Sequence, residues 1–226
     1  MSLPCRPVGT TPPSDNAELD SSGALPRFPV VPALNFSPEL LLRAQSVKVA
    51  FFDVDGVLTD GGLYFSEYPD GHELAALPGK PRSAGEIIKR FNTLDGHGLK
   101  LLQKAGITPA VVTGRDSVVL RERLRALGIV HAFFGTEDKR PAAETVLRVL
   151  KLDWSAAAAM GDDWPDLPVM RRAALACAPA NAHVEARAQA HFVTRARGGH
   201  GAVRELCDLL LIASGRYAEL LQEYNR

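Results

Sequence analysis

Asp53 and Asp55 stand one residue apart at the end of the apolar run Val47-Lys-Val-Ala-Phe-Phe52. A second apolar run, Ala156 to Met160, leads into Gly161-Asp-Asp-Trp-Pro-Asp166, which sets three carboxylates within five residues. Carboxylates this crowded repel one another unless a cation lies among them, and clustered hard oxygens suit Mg²⁺. A carboxylate so placed can act as a nucleophile, and a neighbour can donate and accept protons. Capping is the plainer alternative: a polar turn after Phe52, or a helix cap at Asp162 or Asp163. One cap uses one carboxylate, however, and does not account for three.

Two further positions bear on the same chemistry. Thr113, Gly114 and Arg115 follow the run Thr108-Pro-Ala-Val-Val112. A hydroxyl, a residue that lets the backbone come close and a cation suit an anion such as phosphate, with an ordinary strand-to-helix turn as the competing account. Lys139 opens an expected helix, where the dipole favours anions; it either faces a negative group or is simply solvated. As a set the residues fit phosphoryl transfer with Mg²⁺ among the carboxylates. Asp53 would attack phosphorus, Asp55 would protonate the leaving alcohol and then deprotonate water, and Thr113 and Lys139 would hold the equatorial oxygens.

For these side chains to meet, the runs that carry them must lie side by side as strands. The spacing predicts strands at about 47–53, 108–113, 131–134, 156–160, 174–178 and 191–194. Helices are expected at about 38–45, 96–105, 117–127 (Asp116 as N-cap, Gly128 ending it), 139–150, 164–173, 184–190 and 202–213. Strand-helix alternation with short links argues an α/β fold: a three-layer, doubly wound parallel sheet. Ligands of such sheets sit outside the carboxyl ends of the strands. If strand one continued past Phe52, Asp53 and Asp55 would point the same way. Between Leu58 and Phe91, the segments 61–66 and 86–92 suggest a β-hairpin insertion (about 60–92) with a loop at about 70–86. That leaves no room for a separate cap domain, so cover for the site would come from oligomerisation. Leu63, Tyr64, Phe65, Ile87 and Ile88 would then be interface, or else pack within the hairpin. Residues 1–35, rich in Pro, Ser and Gly, read as a flexible tail, the domain as 36–226, with a C-terminal helix and tail at about 202–226.

Composition excludes several classes. Lys+Arg 26 against Asp+Glu 26 gives no net field for nucleic acid or a membrane surface. No apolar stretch reaches a membrane-spanning length. Cys5, Cys177 and Cys207 are odd in number and widely spaced, which argues against a disulfide framework or zinc site and for a reducing, cytoplasmic setting.

In this order, Asp53-Val-Asp55-Gly-Val, Thr113, Lys139 and Gly161-Asp-Asp-Trp-Pro-Asp166 resemble the four motifs of the haloacid dehalogenase superfamily. Asp55-Gly-Val-Leu-Thr-Asp-Gly61, Phe91-Asn-Thr-Leu-Asp-Gly-His-Gly98, Thr113-Gly-Arg115 and Arg197-Gly-Gly-His-Gly-Ala-Val-Arg204 narrow the resemblance to its capless phosphatases of 3-deoxy-D-manno-octulosonate 8-phosphate (Kdo 8-phosphate), over about 37–226. That family makes free Kdo for lipopolysaccharide, uses Mg²⁺ and forms homotetramers through the hairpin and the C-terminal tail. The resemblance implies Asp53, Asp55 (through its carbonyl) and Asp162 as metal ligands, with Asp163 and Asp166 supporting them from behind. It implies Gly61, Asn92, Asp95, Gly114, Arg115, Arg197 and Arg204 on the substrate, the arginines being suited to a sugar-acid carboxylate. The hairpin tip is longer than the family pattern. Alternatives are a phosphatase of an N-acylneuraminate or KDN 9-phosphate, a mutase, and a non-catalytic phosphate-sensing or scaffold module. A sensor would have no use for Asp55.

Overall fold

The computed structural model describes residues 34–65 and 86–225. The expected tail up to residue 33 and the expected hairpin tip up to residue 85 lie outside them.

Helix α1 (Pro38–Ala44) begins where Ser37 accepts a hydrogen bond from the Leu40 N–H, with Pro38 in the first turn. Proline suits that turn because its missing N–H would have no helical partner there. Strand β1 (Val49–Phe52) is buried throughout. A tight π-type turn, Val54–Leu58, follows it. Strands β2 (Tyr64–Phe65) and β3 (Glu86–Ile88) form an antiparallel pair. After α2 (Thr93–Lys104), the chain alternates through β4 (Thr108–Val112), α3 (Val118–Ala126), β5 (His131–Phe133), α4 (Lys139–Leu150) and β6 (Ala157–Met160). It then passes through α5 (Leu167–Met170), β7 (Leu175–Ala178), α6 (Val184–Gln189), β8 (Phe192–Val193), α7 (Ala202–Ala213) and α8 (Tyr217–Glu223).

The main sheet runs β5-β4-β1-β6-β7-β8 with every pair parallel. Successive strand residues face opposite layers. Ala50 and Phe52 join the core beneath α1, α2, α3, α7 and α8, whereas Val49 and Phe51 join the one beneath α4, α5 and α6. The second layer is lined by small residues, Ala110, Ala157, Ala159, Ala176 and Ala178 facing Ala142, Ala143 and Ala186. That need for close helix-on-sheet packing accounts for the alanine run of β6, whose strand propensity is low. The three-layer, doubly wound architecture expected from the alternation is therefore the observed one. Strand order reverses on either side of β1, and this switch point is where such sheets open a crevice at their carboxyl ends.

Several local expectations differ from the structure. Strand one ends at Phe52, and Asp55 (φ −78°, ψ 115°) and Gly56 (φ 89°) belong to the turn, so period-two geometry does not aim Asp55. Ser117, not Asp116, caps α3 by accepting from the Leu120 N–H, and Asp116 instead takes both arms of Arg121 at 2.8 Å. Gly128 does follow α3 with φ 71°. The stretch expected as one helix at 164–173 is a 3₁₀ turn, Trp164–Asp166, followed by one turn of α5, because Pro168 lacks the N–H that a helix starting at Trp164 would use at that position. The C-terminal tail contains α8, whose Leu220 is buried in the core. Leu63, Tyr64 and Ile88 are exposed, and the side chains of Phe65 and Ile87 lie outside those described. Cys177 and Cys207 are fully buried, and burial pushes both thiols up.

Candidate active site

Asp53 follows β1 directly and is 8 % exposed. Lys139, the first residue of α4, is buried beside it, with Nζ 2.6 Å from Oδ1 of Asp53 and 2.6 Å from Oδ1 of Asp166. Asp138 caps α4 by accepting from the Arg140 N–H, which leaves Lys139 to turn inward. After β6, Asp166 accepts through Oδ2 from the N–H groups of Asp162 and Asp163, while Asp163 accepts from the Trp164 N–H. This reciprocal cap holds the acidic turn rigid. A Cβ on Gly161 would fall 2.1 Å from Cβ of Asp166, so only glycine lets the turn close there.

One carboxylate oxygen from each of Asp53, Asp162 and Asp166 lies within 4.8 Å of the others. Burial first, and then the neighbouring carboxylates, lift Asp162 to about 8. Burial and Asp166 lift Asp53 to about 6 against the pull of Lys139. For Lys139, burial works downward but Asp53 and Asp166 outweigh it, and the amine is raised. A single buried ammonium thus leaves the three carboxylates short of positive charge. Hard oxygens converging in an anionic pocket fit a divalent cation such as Mg²⁺.

Thr113 follows β4, the strand beside β1, and is 1 % exposed. Its Oγ1 accepts from the Arg115 N–H at 3.3 Å. Among the described residues Asp55 faces two cations, Nζ of Lys89 at 2.5 Å from Oδ1 and Nε of Arg115 at 3.6 Å from Oδ2. Lys89 was not singled out from the sequence. The signal for it was available: a lysine ending the apolar Ile87-Ile88 pair where the chain returns to the domain.

The other sequence candidates divide. Gly56 is clamped between the site and the C-terminal loop: a Cβ there would meet Oδ2 of Asp162 at 2.0 Å. Gly61 (φ 78°) donates to Thr59 Oγ1 and packs on Gly56. Arg197 is exposed, adjoining Gly198, which stacks on the Gly56 carbonyl. A Cβ on Gly114 would meet only the Thr136 carbonyl, at 4.0 Å. Asn92 caps α2 by accepting from the Leu94 N–H at 2.8 Å. Asp95 is buried and accepts from the N–H groups of Gly201 and Arg204. The Arg204 side chain is turned to Asp208 at 2.7 Å. Each of these three thus has a structural task of its own. His200 lies between the Gly198 carbonyl and Arg90, and His97 meets the edge of Tyr224.

Comparison with known proteins follows the same lines. Residues 132–206 match the model of the haloacid dehalogenase-like hydrolases. The 3-deoxy-D-manno-octulosonate 8-phosphate phosphatase of Yersinia pestis is 37 % identical over 178 residues, 79 % of this chain and 87 % of that protein. A probable YrbI-family phosphatase from Pseudomonas syringae superposes with a TM-score of 0.74 at 45 % identity, covering 84 % of this chain and 99 % of its own. The Moraxella catarrhalis 3-deoxy-D-manno-octulosonate 8-phosphate phosphatase, crystallised with magnesium, phosphate and KDO, has a TM-score of 0.73 and 33 % identity, with 82 % and 98 % covered.

Proposed function

The chain belongs to the haloacid dehalogenase-like hydrolases as a phosphomonoesterase akin to the Kdo 8-phosphate phosphatases, and we propose that Kdo 8-phosphate is its own substrate, with Mg²⁺ as cofactor. The observation that carries this reading is the buried Asp53–Lys139–Asp166 triad beside Asp162 at the switch point of the sheet. The relative crystallised with Kdo, phosphate and magnesium supplies the substrate class.

Asp53, Asp162 and the Asp55 carbonyl would hold Mg²⁺, which supplies charge neutralisation for a phosphate brought against carboxylates. Asp166 would keep Lys139 and the Asp162 turn in place. An oxygen of Asp53 attacks phosphorus as the ester P–O bond breaks, giving an aspartyl phosphate and an alcohol. The leaving oxygen takes its proton from Asp55. In the second half Asp55 accepts a proton from water as that water attacks phosphorus, releasing inorganic phosphate and restoring Asp53. Lys139 and Thr113 meet the charge on the equatorial oxygens. Arg115, already beside Asp55, and Arg197 on the adjoining loop are the side chains suited to the sugar-acid carboxylate.

The pathway reading is release of Kdo for lipopolysaccharide in the cytoplasm. It rests on the resemblance to the Kdo 8-phosphate phosphatases and on cysteine usage. The exposed Leu63, Tyr64 and Ile88 support assembly through the hairpin, for which a homotetramer is the expected state by light scattering.

The test is phosphate release from Kdo 8-phosphate with Mg²⁺ and with EDTA, beside an N-acylneuraminate 9-phosphate and an aryl phosphate. Fast, Mg²⁺-dependent release favouring Kdo 8-phosphate is the expected result. Preference for the 9-phosphate would move the substrate assignment, and tight phosphate binding without turnover would make the chain a sensor.

A further inference from the structure

The reaction scheme gives no task to Lys89, although it is the more enclosed of the two cations at Asp55. Its side chain is 2 % exposed, against 49 % for Arg115. A buried ammonium is costly unless firmly paired, and neutralising a part-exposed carboxylate does not call for one. Nζ lies 2.5 Å from Oδ1 of Asp55, across 34 residues of sequence and from a different element, the arm that follows β3.

Asp55 needs such a reference point. It sits in the Val54–Leu58 turn rather than on a strand, and Gly56 follows it with φ 89°. No ladder of strand hydrogen bonds orients its side chain, so its direction depends on what it touches. We propose that Lys89 is a positioning residue for Asp55, holding the carboxylate where the leaving oxygen of an alkyl phosphate must be protonated. The proposal rests on the phosphatase reading and deepens it: the hairpin arm delivers the group that makes poor leaving groups acceptable. Lys89 itself transfers no proton. The proton passes from Asp55 to the leaving oxygen as the P–O bond breaks, and returns to Asp55 from water in the second half.

The experiment compares kcat/KM for wild type, Lys89→Met and Lys89→Arg on three esters: Kdo 8-phosphate, glycerol phosphate and 4-nitrophenyl phosphate. The nitrophenolate leaves without a proton, so its kcat/KM does not depend on the aim of Asp55 in the first half. Lys89→Met is expected to lower kcat/KM about 100-fold on both alkyl esters while the aryl ester stays within about threefold. It should also show a burst of nitrophenol, because water attack in the second half still needs Asp55. Lys89→Arg should recover part of the alkyl activity. Equal losses on all three esters would overturn the proposal. So would a rise in KM for Kdo 8-phosphate alone, which would make Lys89 a ligand of the substrate carboxylate. Melting curves verify that the variants are folded, and Lys89→Gln is read in the same way if Lys89→Met melts early. A wild type inactive on every ester would instead sink the phosphatase reading.

Discussion

The carbonyl oxygen of Gly56 is pressed against the Cα of Gly198, so closely that a Cβ built on Gly198 would fall 1.7 Å from it. Gly199 (φ 67°) donates its N–H to Val57 O at 3.0 Å, and Gly198 donates to Asn181 Oδ1 at 2.7 Å. On its other side Gly56 abuts Asp162. The loop after β8 thus backs the turn that carries Asp55, and the turn backs a candidate metal ligand.

Gly198→Ala is therefore expected to displace the turn. The clash is with backbone, which cannot rotate away as a side chain can, and it should cost about 3 kcal/mol of stability and most of the activity. Gly106→Ala is the control: φ is 78° but nothing lies within 4 Å, so only about 1 kcal/mol of backbone strain is expected, with normal kcat. Thermal melts and turnover of the two variants check this.

Asp53→Asn should abolish turnover, with kcat down at least about 10⁴-fold. Folding should survive, because Asp166 still pairs with Lys139. Steady-state activity near wild type would remove Asp53 from the nucleophile's role.

Removing metal should make stability fall as pH rises. Asp53 and Asp162 are lifted to about 6 and about 8 in the folded chain, above the ordinary carboxylate value near 4. Between those values the folded chain binds more protons than the unfolded one, so their contribution is fully present below about pH 4 and lost as pH passes 6 and then 8. The Tm of EDTA-treated protein should drop from pH 5 to pH 8. Added Mg²⁺ should raise it more at pH 8 than at pH 5, because metal competes with protons for the same oxygens. A Tm in EDTA that is flat or rising with pH would contradict this.

Asp95→Ala separates the structural task of that residue from its expected place on the substrate. Losing a buried acceptor of the Gly201 and Arg204 N–H groups should cost about 2–3 kcal/mol of stability. KM for the substrate should change little. A large rise in KM with an unchanged melt would instead place Asp95 on the substrate.

Much of this protein was legible in the order of its residues. The strand-helix alternation, α7 at Ala202–Ala213 and α4 at Lys139–Leu150 follow from local periodicity, with the Asp138 cap fixing the start of α4, and neighbours in sequence determine these. The motif aspartates, Thr113 and Lys139 were recognisable because their residue types stand just after apolar runs, and a parallel sheet lines up the ends of its strands. Asn92, Asp95 and Arg204 show what such reading leaves out. Each belongs to a motif of the resembled family, yet the first caps α2, the second anchors the start of α7 and the third pairs along α7. Only the tertiary structure decided that β1 stops at Phe52, that Lys89 meets Asp55 across 34 residues, and that Gly198 stacks on Gly56. These are contacts between segments far apart in the chain. Their geometry depends on strand order and on turn conformations that no local pattern encodes.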